Sequence, residues 1–145
     1  MKPVCCDTSF LFALYGNDVH TAKALALVRR LRQPLTLSVF NEFELKNALR
    51  FAGWRKLFSA TQIGLFQAAY EADRNAGRLV AAPCNLTAII TEARRLSASY
   101  TLNHGHRSFD LLHVAVALHL GAGEFLSFDA NQRKLARTEG LKLNV

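Results

Sequence analysis

Acidic residues are scarce in this chain of 145 residues: eleven Asp and Glu stand against eighteen Lys and Arg. The formal charge of +7 at pH 7 excludes an acidic, solvating protein and favours polyanionic partners, of which nucleic acid is the commonest. Cysteine is scarcer still. Cys5 and Cys6 are adjacent and Cys84 stands alone, so there is no disulfide framework, no CxxC and no Cys/His zinc spacing. Small buried thiols in a reducing compartment are expected instead. No apolar run approaches the ~20 residues of a membrane span. Pro3 and Asp7 interrupt the first apolar stretch too early for a signal peptide. A cytoplasmic protein is expected. GxxxxGK[ST], GxGxxG and an Asp-x-Asp after the first strand are all missing, which removes support for the common phosphotransfer folds. With 50% hydrophobic and 20% charged residues, the chain has ample material for a core and is not intrinsically disordered. Its length predicts a single domain over residues 1–145.

Strand and helix signals alternate along the chain. Pro3–Cys6 is a short apolar run stopped by Asp7, the signature of a buried strand. Ser9–Tyr15 predicts a turn or two of helix. Asp18 is placed to cap a helix over Val19–Arg32 with Ala22, Leu25, Val28 and Leu31 inward. Leu35–Val39 predicts a strand, followed by helices over Phe40–Ala52 (Phe43, Leu45, Leu49 and Ala52 inward) and Ala60–Ala76. Leu79–Ala82 is a weak strand, and Asn85 caps a helix to about Tyr100. After a polar loop, Thr101–Arg107, come a helix over Ser108–Leu120, a strand over Phe125–Phe128, a helix over Ala130–Glu139 and a last strand over Leu141–Val145. Such alternation predicts a three-layer α/β fold around a mainly parallel sheet.

The few acids then become informative. Glu71, Asp73, Glu92 and Glu139 lie in or at the end of helices as solvated charges, and Glu42 opens a helix, where its charge suits the macrodipole. Asp7, Glu44, Asp110 and Asp129 sit instead in apolar sequence, where burial is costly without a partner. Asp7 and Asp129 end strands; Glu44 and Asp110 lie in early helical turns. In an alternating α/β fold all four fall at the carboxyl edge of the sheet, where such folds bind ligands. Converging carboxylates repel by roughly several kcal/mol at intermediate dielectric. A divalent cation relieves that repulsion, and oxygen-only ligands suit Mg2+ or Mn2+. No Ser–His–Asp or Cys–His set is apparent.

Four segments carry a family resemblance: Val4–Leu11 (Val-Cys-Cys-Asp-Thr-Ser-Phe-Leu), Glu44-Leu45 with Asn47–Leu49, Arg107–Ala115 (Arg-Ser-Phe-Asp-Leu-Leu-His-Val-Ala), and Phe125–Asp129 followed by Leu135-Ala136 and Gly140-Leu141. In this order they resemble a PIN domain, and in particular the VapC-type toxins of prokaryotic toxin–antitoxin pairs. The resemblance implies a metal-dependent endoribonuclease with strand order 3-2-1-4-5, leaving 5′-phosphate and 3′-hydroxyl ends. It implies that Asp7, Glu44, Asp110 and Asp129 hold Mg2+ or Mn2+, with Thr8 and Ser127 at the family's small hydroxyl positions. Asn131 stands where some members carry a further acid, which leaves the number of metals open. Glu42, close to the second motif, competes with Glu44. The resemblance also implies a small antitoxin as partner.

Among the basic residues, Lys46 and Arg50 share a helix with Glu44 and are spaced i,i+4, while Arg133 follows Asp129; these, with Arg107, are the candidates to meet RNA phosphates. His113, a turn beyond Asp110, is read as a packing or hydrogen-bonding residue. His104 and His106 fall in a polar loop. Phe51, Trp54, Leu57 and Phe58, with Ile63, Leu65, Phe66 and Tyr70, exceed what one narrow helical stripe buries. A homodimer or antitoxin interface is expected there. The rival reading is a PIN-like RNA-binding or partner-binding module without turnover.

Overall fold

Val4, Cys5 and Cys6 form β1, in which every residue is buried. An apolar strand covered on both faces belongs inside a parallel sheet. In the computed structural model, which describes residues 1–144, β1 lies between β2 (Leu35–Leu37) and β4 (Glu124–Leu126), with β3 (Leu79–Ala81) outside β2. All pairings are parallel, in the order β3-β2-β1-β4. Val4 faces Leu35 on one side and Glu124 on the other.

Helices α1 (Thr8–Tyr15), α2 (Thr21–Arg30), α3 (Val39–Trp54) and α4 (Ala60–Asn75) cover one face. Helices α5 (Leu86–Leu96), α7 (Ser108–His119) and α8 (Ala130–Thr138) cover the other, and a short α6 (Leu102–His104) precedes α7. Successive residues of a strand point to opposite faces. Cys6 therefore joins the core of Phe10, Leu45, Leu49 and Tyr70, while its neighbour Cys5 joins that of Ile89, Val114, Phe125 and Leu135. The three-layer parallel architecture is as expected.

The structure departs from the sequence reading in several places. The last strand is reduced to one parallel bridge between Lys142 and Glu124, so the sheet has four strands. The bridge occupies the expected fifth position, but Asn144 meets Glu124 through its side chain, at 2.6 Å, rather than extending the ladder. Val145 lies outside the described residues. Asp18 does not cap α2. Its Oδ1 accepts from the His20 N–H at 2.7 Å within a turn, and the helix starts at Thr21. The inward face of α2 is Ala24, Leu27 and Val28, followed by Leu31, with Ala22 and Leu25 exposed. Apolar residues run without a break from Ala24 to Val28, so periodicity left the phase open and packing on α1 chose it. Phe43 of α3 likewise points outward. The helix after Asn85 does not end at Tyr100: a π turn (Ser97–Thr101) carries it into α6. Gly105, in the left-handed region at φ 70°, stops it by donating to the Thr101 carbonyl.

Three helices begin where strands end. Asp7 caps α1 directly after β1, Ser38 caps α3 directly after β2, and Asp129 caps α8 just beyond β4. Asn41 closes the capping box of α3 and donates to the Cys6 carbonyl at 3.1 Å, which pins α3 to the end of β1. These caps make the carboxyl edge of the sheet a ring of helix N-termini. No helix among the described residues is long and apolar enough to cross a membrane.

Candidate active site

A cleft of about 430 Å³ opens at that edge, and Asp7, Glu44, Asp110 and Asp129 all line it. They arrive from four elements: the end of β1, the second turn of α3, the first turn of α7 and the cap of α8. Their environments differ.

Asp7 is buried and the most constrained. Its Oδ1 accepts the Phe10 N–H at 3.0 Å, Ser9 Oγ lies 2.8 Å from both carboxylate oxygens, and Ser127 Oγ donates to Oδ2 at 2.9 Å. Burial pushes its pKa up, against the opposing pull of these hydrogen bonds. Glu44 is half-buried. Burial raises its pKa too, but hydrogen bonds from His113 Nε2, at 2.7 Å, and from the Thr8 hydroxyl outweigh this and leave it lowered. Asp110 has no hydrogen bond to its carboxylate among the described residues. Its pKa is raised, first by burial and then by the negative charge of Asp129. Asp129 is exposed, with Oδ1 accepting from the Gln132 N–H at 2.7 Å as the cap of α8.

Among the described residues, no three His, Cys, Asp or Glu side chains are gathered closely enough to hold an ion as they stand. The donor set nonetheless fits a hard cation: it is all oxygen, and Asp110 feels Asp129 as a like charge. Mg2+ in particular takes one or two carboxylates and keeps several waters rather than demanding a closed protein cage.

The other candidates divide. Thr8 and Asn131 line the cleft. The Asn131 amide donates to the His104 carbonyl at 2.9 Å, which ties the His104–His106 segment to α8. Ser127 is buried beneath the cleft and accepts the Asp129 N–H at 3.0 Å. Arg107 lines the cleft, and Arg133 donates to the Ser127 carbonyl at 3.1 Å. Lys46 and Arg50 lie elsewhere. Positions two apart on a helix point about 200° from each other, so Lys46 faces away from Glu44 and pairs with Glu71 at 2.8 Å and Glu42 at 3.5 Å. Arg50 lines a separate hollow with Phe58 and Ile63. Ala48, one turn beyond Glu44, is the α3 residue that shares the cleft. Glu42, paired with Lys46, is not part of the lining.

Sequence reasoning overlooked Ser9 and Gln132. Gln132 is buried; its Oε1 lies 3.2 Å from Ser127 Oγ and its Nε2 donates to the Asp110 carbonyl at 3.0 Å, joining α8 to α7. The spacing Asp129-x-x-Gln132 resembles a capping box and was its one available signal. His113, read as a hydrogen-bonding residue, is buried and holds Glu44.

The PIN domain family model matches residues 4–138 of the chain. No curated protein matches it. Among solved structures, FitAcB from Neisseria gonorrhoeae is similar, with a TM-score of 0.62 and 15% identity over 97% of this chain and 95% of that chain. At that identity the similarity speaks for the fold alone.

Proposed function

The chain belongs to the PIN domain family, whose members are generally nucleases, and on that premise we propose that it is a Mg2+- or Mn2+-dependent endoribonuclease, the toxin of a VapC-type toxin–antitoxin pair. It acts as a single cytoplasmic domain over residues 1–145. The observation that carries this reading is the convergence of Asp7, Glu44, Asp110 and Asp129, from four separate elements, on one cleft of a positively charged protein.

Asp110 and Asp129, like charges that form no ion pair among the described residues, are the acids with most to gain from a cation, and Asp7 and Glu44 complete the set. When bound, Mg2+ or Mn2+ supplies Lewis-acid activation of the attacking water and neutralises charge at the leaving oxygen. The chain supplies the rest. His113 and Thr8 orient Glu44 through Oε1, and their hydrogen bonds hold its pKa below the usual glutamate value, which favours the carboxylate form that a cation would bind. Ser9 and Ser127 hold Asp7, so the deepest acid does not wander. Arg107 at the rim meets a phosphate, with Arg133 nearby on α8.

The partner side of the proposal rests on exposed apolar side chains. Phe51, Trp54, Leu57 and Leu65 are more than half exposed, while Ile63, Phe66 and Tyr70 turn inward. An aromatic patch of this kind marks an interaction surface, and we assign it to a second copy of the chain and a small antitoxin. Sedimentation tests the dimer: a concentration-independent species near 16.1 kDa overturns it.

The enzyme assignment is tested by incubating the purified protein with RNA, DNA and a phosphomonoester, with EDTA, Mg2+ or Mn2+. RNA is expected to be cut only with metal, leaving 5′-phosphate ends. RNA left intact under every condition overturns the assignment.

A further inference from the structure

A ladder of three rings runs from the core to the surface beside the acid cleft. Phe10 is fully buried and stacks on the partly buried Phe128, with centroids 5.6 Å apart and planes 18° apart. Phe128 in turn stacks on the exposed imidazole of His20 at 4.4 Å and 6°. His20 precedes α2 without capping it, and its ring makes no hydrogen bond among the described residues. Stacking is all that this ring does. Phe128 covers one of its faces, and the residue is nonetheless exposed, which leaves the other face to solvent.

His20 and Phe128 line a hollow of about 400 Å³ together with Phe12 and Asp18. Thr8, Ser9, Ala48 and Asp129 line both this hollow and the acid cleft, so the two are continuous. Resting on the nuclease reading, we propose that this hollow is a nucleobase subsite, in which an unpaired RNA base stacks on the open face of His20 as the fourth ring of the ladder.

Three features select a base over other occupants. Single-stranded RNA is recognised by stacking splayed bases on aromatic, His or Arg planes. Phosphate is disfavoured: Asp18 and Asp129 place two carboxylates on the lining with no Lys or Arg among its described residues, whereas the acid cleft has Arg107 and, on the nuclease reading, a cation to offset its acids. The opening onto the acid cleft places the base next to a phosphate that the cleft would receive. Because every base has a π face, the subsite binds bases without strong sequence preference. Phe10 anchors the ladder in the core, so the platform is preorganised before RNA arrives.

The test is equilibrium binding of a short single-stranded RNA containing 2-aminopurine, at low salt with EDTA so that cleavage plays no part. Wild type is expected to bind with quenched aminopurine fluorescence. His20→Ala should weaken binding about tenfold and lose the quenching, as removal of a stacking platform does, while His20→Phe should stay within about twofold of wild type. His20 is exposed and makes no capping bond, so both variants should fold, which melting by circular dichroism checks. Wild-type affinity in His20→Ala overturns the proposal. So does equal loss in His20→Phe, which would indicate a phosphate contact, and so does an absence of RNA binding by wild type. A cleavage assay separates this from the premise: His20-dependent binding without cleavage removes the nuclease and keeps the subsite, whereas cleavage with His20-independent binding does the reverse.

Discussion

Two hollows of about 430 Å³ open at opposite edges of the sheet, and their chemistry is opposite. At the carboxyl edge, four acids line the cleft. At the amino edge, Arg29, Arg32 and Arg78 surround a largely apolar hollow floored by Leu35 and Leu79. Part of this sorting follows from the fold. Parallel strands with returning helices place helix N-termini at one edge, where acids are favoured, and C-termini at the other, where Arg29 occupies the last turn of α2. Charge segregation alone therefore marks no active site. What distinguishes the carboxyl edge is unresolved repulsion: Asp110 is half-buried beside Asp129 with its pKa raised. The one acid lining the amino-edge hollow, Asp73, is fully engaged by Arg78 at 2.6 Å and by the Tyr15 hydroxyl at 2.7 Å.

Substitutions at the two edges should break this comparison sharply. The largest effect is expected from Asp7→Asn or Asp110→Asn, each lowering RNA hydrolysis by about two orders of magnitude or more, since several kcal/mol of charge stabilisation is lost. Gel assays of the purified variants, with contaminating nuclease excluded, measure it; wild-type rates would refute the assignment of the acids. Next comes His113→Ala. Truncating a buried ring and stripping Glu44 of its partner should cost about 2–4 kcal/mol in urea unfolding and reduce activity as well.

A smaller effect, opposite in sign, concerns the metal-free protein. Asp110 has a folded pKa raised above its ordinary value, so the folded state holds the proton more tightly and gains stability as pH falls from neutral through that raised value. Asp110→Asn should therefore raise the melting temperature at pH 7 in EDTA, with the advantage shrinking toward pH 4. Glu44 behaves in the reverse manner. Its folded pKa is lowered, so its contribution is present above the ordinary value and disappears as pH falls through the lowered one. Glu44→Gln should flatten that part of the stability profile. The smallest effect belongs to the amino edge: Arg78→Ala breaks an exposed pair and should cost less than about 1 kcal/mol, with hydrolysis unchanged.

The readable parts of the site are those set by neighbours in sequence. Val-Cys-Cys before Asp7 and Phe-Leu-Ser-Phe before Asp129 announced strands ending in acids, and the alternation of elements then put both at one edge. The misplaced parts each needed information from another element. Lys46 was drawn to Glu44 by proximity along the chain, although their i,i+2 relation turns them apart. Phe43 fitted an apolar stripe but stands outside, its ring meeting Phe109 at 6.3 Å. The phase of α2 depended on α1.

Periodicity, caps and charge are properties of residues within about four positions of one another, and these determined the strands, the helices and the edge that carries the acids. Burial and side-chain partnership depend on residues far apart in the chain. Ser127 reaches Asp7 across a separation of 120 residues, and Thr8 meets His113 across 105. No local pattern encodes such contacts. Only the packed layers decided that Ser127 holds Asp7, that Glu44 leans on His113, and that the Phe10–Phe128 stack ends in His20 at the mouth of the cleft.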